Sequence, residues 1–191
     1  MDIRNKFIKD FPVPKGNKDN PYIILFDAYT GIGKSTVAKV IAKKDNSVIL
    51  NNDQVRDWLN DHHDSTNLKS DLQKYRLELL LKNNNSCIFD SCFCHNWKEK
   101  IKYYNKLGYK YYIIRLECSE LIVKERLSSR VKDGTNYSIA SFNDYLWMKE
   151  NVPHVDDNLV DFTINTKTNI EEQVDDFLNH FNLKWESGKN G

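Results

Sequence analysis

Apolar positions along the chain fall into two kinds of pattern. Short runs rich in apolar residues occur at residues 22–26, 48–50, 87–89, 111–116 and 160–164, the last two interrupted by Arg115 and by Asp161 and Thr163. Runs of that length predict strands, and the unbroken run at 22–26 predicts one covered on both faces. Between them, apolar residues recur three and four positions apart, as in Val37, Val40 and Ile41, or Leu68, Leu72, Tyr75, Leu79 and Leu80. That spacing predicts helices. Further helices are predicted after Asn51 to Asp53, over 97–107 with Gly108 closing it, over 120–130, around Ile139, Phe142 and Leu146, and over 170–181.

Strands that alternate with helices pair in parallel through right-handed crossovers, because that arrangement covers both sheet faces. The expected fold is α/β, a three-layer arrangement around a five-stranded parallel sheet. Ligands of such sheets bind beyond the carboxyl ends of the strands. Residues 1–20 are polar and include Pro12, Pro14 and Gly16, so they read as a flexible arm; residues 21–183 read as one domain and 184–191 as a polar tail.

The first strand end carries the densest chemistry. Residues 28–35, AYTGIGKS, fit the phosphate-loop pattern G-x-x-x-x-G-K-[ST], with Ala28 in place of the first glycine. Consecutive amides in such a loop form an anion-binding nest, and the helix that follows adds the positive end of its dipole. Tyr29, Thr30, Gly31, Ile32, Gly33, Lys34, Ser35 and Thr36 are therefore the expected nucleotide-binding residues. Lys34 is placed to reach the β and γ phosphates, and Ser35 to ligate Mg²⁺. Ala28 fits the loop provided its φ is negative.

Other strand ends supply the rest of a phosphoryl-transfer site. Asp53, after the second strand, is a candidate general base, although a helix-capping role is equally compatible with its position. Arg56, three residues on, is a candidate for holding the acceptor. Asp90 ends the third strand, where a carboxylate serves the metal. Arg126 and Arg130 lie four apart on one helix face, before a polar loop, and are expected on a mobile lid that neutralises the transferring phosphoryl group and excludes water.

Charge and composition narrow the partners. A net charge of +1 gives no general attraction to nucleic acid or an anionic membrane. No apolar run approaches the ~20 residues of a membrane span, and the charged N-terminus has no signal-peptide core. The cysteines at 87, 92, 94 and 118 form no disulfide framework. These features predict a soluble, cytoplasmic protein. Cys92, Cys94 and His95 are too few and too close for a zinc site, and His62 and His63 read as surface loop. Trp97, Tyr103 and Tyr104 read as helix packing and not as base-stacking surfaces.

Taken together, AYTGIGKST, NNDQVR, CIFDSCF and RLECSELIVKERLSSR resemble the P-loop kinases that include polynucleotide 5′-hydroxyl kinases and zeta-toxin-like proteins. The resemblance implies ATP and Mg²⁺ as cofactors and γ-phosphoryl transfer to a hydroxyl. It also implies Asp53 as general base, Arg56 on the acceptor, and Lys34, Arg126 and Arg130 as catalytic cations. The implied acceptor is a polynucleotide 5′-hydroxyl, on a short nucleic-acid end, or a nucleoside-like molecule. NNDQVR is also similar to the D-G-D-N-V-R motif of adenylylsulfate kinases, and Ser91-Cys92-Phe93 departs from the A-T-N that often follows the strand-three aspartate. The alternatives are a nucleotide-driven switch without an acceptor, an adenylylsulfate-type kinase, and a toxin-like kinase held by a partner protein.

Overall fold

The structure is a computed structural model that describes residues 2–16, 18–62, 66–133 and 140–183, with the side chains at 66 and 130–133 not among them. The first strand, β1 (Tyr22–Asp27), is buried at every position. Its side chains alternate between two separate cores, as the pleat requires. Ile24 and Phe26 pack with Val37 and Ile41 of helix α2 (Lys34–Asp45) and with Val174 and Phe177 of the C-terminal helix, Ile170–His180. Ile23 and Leu25 face the other way, onto Leu77 and Leu80 of Lys69–Lys82 and onto Trp97 and Tyr104 of Trp97–Leu107. Each such side chain contributes about 1.5–3 kcal/mol when fully buried. This two-sided burial is why the run carries no polar alternation.

The remaining strands are β2 (Val48–Asn51), β3 (Cys87–Cys92), β4 (Lys110–Glu117) and β5 (Phe162–Asn165). They join β1 in one five-stranded parallel sheet, as expected, and the structure gives its order as β2-β3-β1-β4-β5. The carboxyl ends of β1, β2 and β3 therefore lie side by side. Between β1 and β3 the register shifts, since Leu25 is opposite Phe89 while Phe26 is opposite Cys92. Two extra residues are accommodated there, a bulge that bends the strand end. Asp90 stays in register with Asn51 of β2. The third strand is thus longer than its apolar run, because a polar Asp90-Ser91 pair continues the ladder.

The helices follow the predicted order: α3 (Asn52–Asp61), α4 (Lys69–Lys82), α5 (Trp97–Leu107), α6 (Glu120–Asp133), α7 (Phe142–Asn151) and α8 (Ile170–His180). Gly108 ends α5 with φ 75°, the left-handed turn expected of it. One prediction is corrected. The segment read as a flexible arm contains α1 (Ile3–Asp10), capped by Asp2. Phe7 of that helix is completely buried against Val55, Trp58, Leu59 and Leu72, and Asp10 accepts a hydrogen bond from Trp58 Nε1 at 2.8 Å. The polar composition of 1–20 concealed a short apolar face, in which Ile3, Ile8 and Phe11 pack beside the buried Phe7.

Candidate active site

The loop between β1 and α2 is shaped by two glycines. Gly33 has φ 118° and caps α2, so the helix begins at Lys34. Gly31 has φ 77°, and a Cβ there would lie 2.8 Å from Leu127 and 2.9 Å from Val123. Glycine is needed at Gly31 both for its backbone angle and for the approach of α6. Ala28 is not among the residues of positive φ, so its methyl is accommodated as expected. Among the described residues, the amides of Thr30, Gly31, Ile32 and Gly33 donate to no backbone carbonyl. A row of unsatisfied donors at a helix N-terminus is an anion cradle. Lys34 Nζ donates to Tyr29 O at 2.7 Å across this loop.

The loop is anchored from behind. Tyr29 Oη donates to Val152 O at 2.6 Å, and its ring lies 4.4 Å from that of His154. Asp27, the last residue of β1, is completely buried. Its carboxylate accepts from Arg115 Nε at 2.8 Å and from His154 Nδ1 at 2.9 Å. Burial alone would push the Asp27 carboxyl up, but the bonds from His154 and Arg115 hold it below the ordinary carboxylate range. Arg115 also pairs with Asp157 and donates to Val155 O. The sequence reading missed this network, because Asp27 looks like one more loop-start aspartate until β4 is laid beside β1.

The second and third strand ends complete a chamber of about 280 Å³, into which Lys34, Ser35, Asp53 and Asp90 all face together with Met148 of α7. Asn51 is the cap of α3, accepting from the amides of Asp53 at 2.8 Å and Gln54 at 3.2 Å. Its Nδ2 donates to Asp90 Oδ2 at 2.9 Å, tying β2 to β3. Asp53 is therefore not the cap, and its carboxylate sits in the first turn, bonded to Arg56 Nη1 at 2.8 Å. Arg56 bonds Asp57 as well, at 3.4 Å, and is not among the residues lining the chamber. Its contact with Asp53 orients the carboxylate.

Arg126 is placed differently from the expectation. Its guanidinium donates to Ile32 O at 2.7 Å, to Thr166 Oγ1 at 3.0 Å and to Thr166 O at 2.7 Å. It is fixed to the outer side of the loop and does not line the chamber, because three oxygen acceptors from the loop and from the turn after β5 converge on it. The side chain of Arg130 and residues 134–139, where the lid's polar segment was expected, lie outside the described residues. So does His63, whereas His62 packs its ring 4.2 Å from that of Trp58. Trp97 and Tyr104 are buried in the core and Tyr103 packs against it, as read from sequence; Tyr103 and Tyr104 also border a second cavity beside the chamber. The two spaces share Asn52, Lys69, Ser91 and Cys92 as walls. Gln73, a polar residue buried on the face of α4 that carries Leu77 and Leu80, was a further sequence signal for that cavity.

Cys92 Sγ lies 2.7 Å from Cys94 Sγ at the shared wall. The hydrogen bond from Cys94 outweighs burial and, with the charge of Lys34, lowers the Cys92 thiol below the ordinary thiol range. The partner Cys94 is raised, by that same bond and by burial.

A glycine loop ending in lysine and serine, at the central strand of a parallel sheet, with carboxylates from the ends of the two strands on one side of it, defines the P-loop NTPase fold of the kinase type. More narrowly, residues 24–154 match the family described as AAA domain, and the chain belongs to that family. The fold is similar to that of a putative kinase from Chloroflexus aurantiacus J-10-fl, with TM-score 0.65 and 15% identity over 85% of this chain and 99% of that chain. It is also similar to the Mycobacterium tuberculosis APS kinase in complex with AMPPNP and APS, with TM-score 0.58, 15% identity, and 85% and 98% of the two chains covered. A third similar structure is the shikimate kinase of Bacteroides thetaiotaomicron, with TM-score 0.55, 14% identity, and 86% and 99% covered. No curated protein matches the sequence. Among the described residues, no helix is long and apolar enough to cross a membrane.

Proposed function

We propose that this protein is a kinase that transfers the γ-phosphoryl group of ATP to the hydroxyl of a nucleoside-like acceptor. The observation that carries the proposal is the convergence of Lys34, Ser35, Asp53 and Asp90 on one chamber bounded by the loop amides. The amides and Lys34 bind the phosphate chain and withdraw charge from the oxygen that departs. Ser35 and Asp90 offer a hydroxyl and a carboxylate, the hard oxygen donors that suit Mg²⁺, which keeps several waters and takes few protein ligands. Bound there, the ion neutralises charge on the phosphates.

Asp53 accepts the proton of the acceptor hydroxyl as that oxygen bonds to the γ-phosphorus. The bond from phosphorus to the β–γ bridging oxygen breaks, ADP departs, and Asp53 returns its proton to solvent. Arg56 holds the carboxylate in line. Arg126 supports the outer side of the loop, and its flat guanidinium also borders a cleft of about 230 Å³ with Gly33, Thr36 and Ile170, where the base of the nucleotide can stack.

The test is γ-phosphoryl transfer from labelled ATP to a panel of 5′-hydroxyl oligonucleotides, nucleosides, adenylylsulfate and sugar acids, with Lys34→Ala as the blank. Asp53→Asn should lower kcat about 10²–10⁴-fold while ATP affinity is unchanged. Full activity in Asp53→Asn removes it as the base. ATP hydrolysis faster than transfer to every acceptor favours a nucleotide switch and refutes the kinase reading.

A further inference from the structure

The cavity beside the phosphate chamber has a volume of about 290 Å³. That lies at the lower end of small-molecule sites, which run from ~300 to ~1,000 Å³, so it suits one ring system with its substituents and not a length of polymer. Its walls divide by chemistry. Phe89, Phe93, Tyr103 and Tyr104 present an aromatic side, on which a flat ring gains stacking energy. Lys69, Lys74 and Lys100 line the same space, where the carboxylate of Glu99 opposes them. In a chain whose total charge is +1, three ammonium groups on one small cavity are a local concentration of positive charge. Two are already positioned by the aromatic side: Lys74 Nζ lies 5.3 Å from the centre of the Tyr103 ring, and Lys100 Nζ 5.7 Å from that of Phe93. Lys100 is held further by the carbonyls of Cys92 at 3.1 Å and Phe93 at 3.4 Å.

The third wall is a hydrogen-bonding one. Gln73 is 3% exposed. Its Nε2 donates to Asn51 O at 2.9 Å, and because a carbonyl only accepts, this fixes which end of the amide is nitrogen. The opposite end, Oε1, is buried with no hydrogen-bond partner among the described residues. A buried acceptor without a donor costs about 1–3 kcal/mol, and a turn of the Gln73 side chain toward this cavity lets a ligand N–H or O–H remove that cost. The cavity opens to the chamber through the shared Asn52, Lys69, Ser91 and Cys92, so a molecule seated here can direct a hydroxyl toward Asp53.

We infer that this cavity is the acceptor subsite and that it selects a small alcohol carrying both a flat ring and one anionic group, with a donor on the ligand meeting Gln73 Oε1. The inference rests on the kinase reading for its hydroxyl and on the cavity alone for its ring and charge. Lys69, on the wall between the two spaces, holds the anion or the transferring phosphoryl group, while Lys74 and Lys100 serve the far end.

The test measures binding apart from transfer. Calorimetry with the phosphate chamber saturated by a non-hydrolysable ATP analogue uses three probes: adenosine 3′-monophosphate (ring and anion), adenosine (ring alone) and gluconate (anion alone). The first should bind at least tenfold more tightly than either of the others. Gln73→Leu should weaken it about tenfold, and Lys74→Met should reduce its advantage over adenosine, a change of selectivity that misfolding would not produce. Equal affinity for the three probes, or wild-type selectivity in both variants, overturns the inference. So does tenfold tighter binding of a 5′-hydroxyl octanucleotide, which would demand a longer footprint. Selective binding without transfer to any probe refutes the kinase reading and leaves the subsite standing. Transfer to gluconate that is indifferent to Gln73→Leu does the reverse.

Discussion

Replacing Asp27 by Asn tests the foundation under the phosphate loop. The side chain is completely buried, and its two oxygens are each engaged, one by Arg115 Nε at 2.8 Å and one by His154 Nδ1 at 2.9 Å. Asn keeps the shape and one acceptor oxygen but removes the charge that matches Arg115, whose side chain is 17% exposed. Removing one partner of a buried pair costs about 3–5 kcal/mol. Arg115 retains Asp157 and the Val155 carbonyl, so the lower figure, about 3 kcal/mol, applies. For a chain of this size that corresponds to a fall in Tm of roughly 6–12 °C, read by circular dichroism at pH 7.

The pH dependence has a definite sign. Because the folded-state pKa of Asp27 is depressed, its contribution is complete above the unfolded value near ~3.9 and is lost as pH falls through the lower folded value. The wild type should therefore lose part of its advantage over Asp27→Asn on acidification below about pH 4. In a double-mutant cycle, Arg115→Met should cost at least ~1 kcal/mol less in the Asp27→Asn background than in the wild type. A change in Tm under ~2 °C, or additive costs in the cycle, refutes the account of this network.

Two further outcomes are expected. Phe7→Ala removes the anchor of α1 and should lower stability in urea by about 3 kcal/mol, the lower end for a buried phenylalanine; an unchanged midpoint would show that α1 does not cover Trp58. At pH 7, Cys92 should react with iodoacetamide faster than Cys118, and Cys94→Ala should slow Cys92 about tenfold or more by returning its thiol toward the ordinary range, as read by peptide mass spectrometry. Equal rates in the two proteins would remove Cys94 as the cause.

The linear pattern carried the sheet and the loop because both depend on neighbours in sequence. A continuous apolar run such as Tyr22 to Phe26 has one use in an α/β chain, and glycines spaced around a lysine encode backbone angles and amide directions within a single turn. The strand-end carboxylates were legible for the same reason: Asp53 and Asp90 each follow a strand's apolar run closely. What tertiary structure alone decided depends on which strand lies beside which. The pairing of β4 with β1 brings Arg115 to Asp27 across the sheet, and the turn after β5 diverts Arg126 to the back of the loop. The second cavity is assembled from α4, α5 and the bulged end of β3, and Gln73 reveals its purpose only when its partner oxygen, on Asn51, is in place. Hydrogen bonds and cavities between segments distant in sequence have no period to read; they exist once the backbone has brought their halves together.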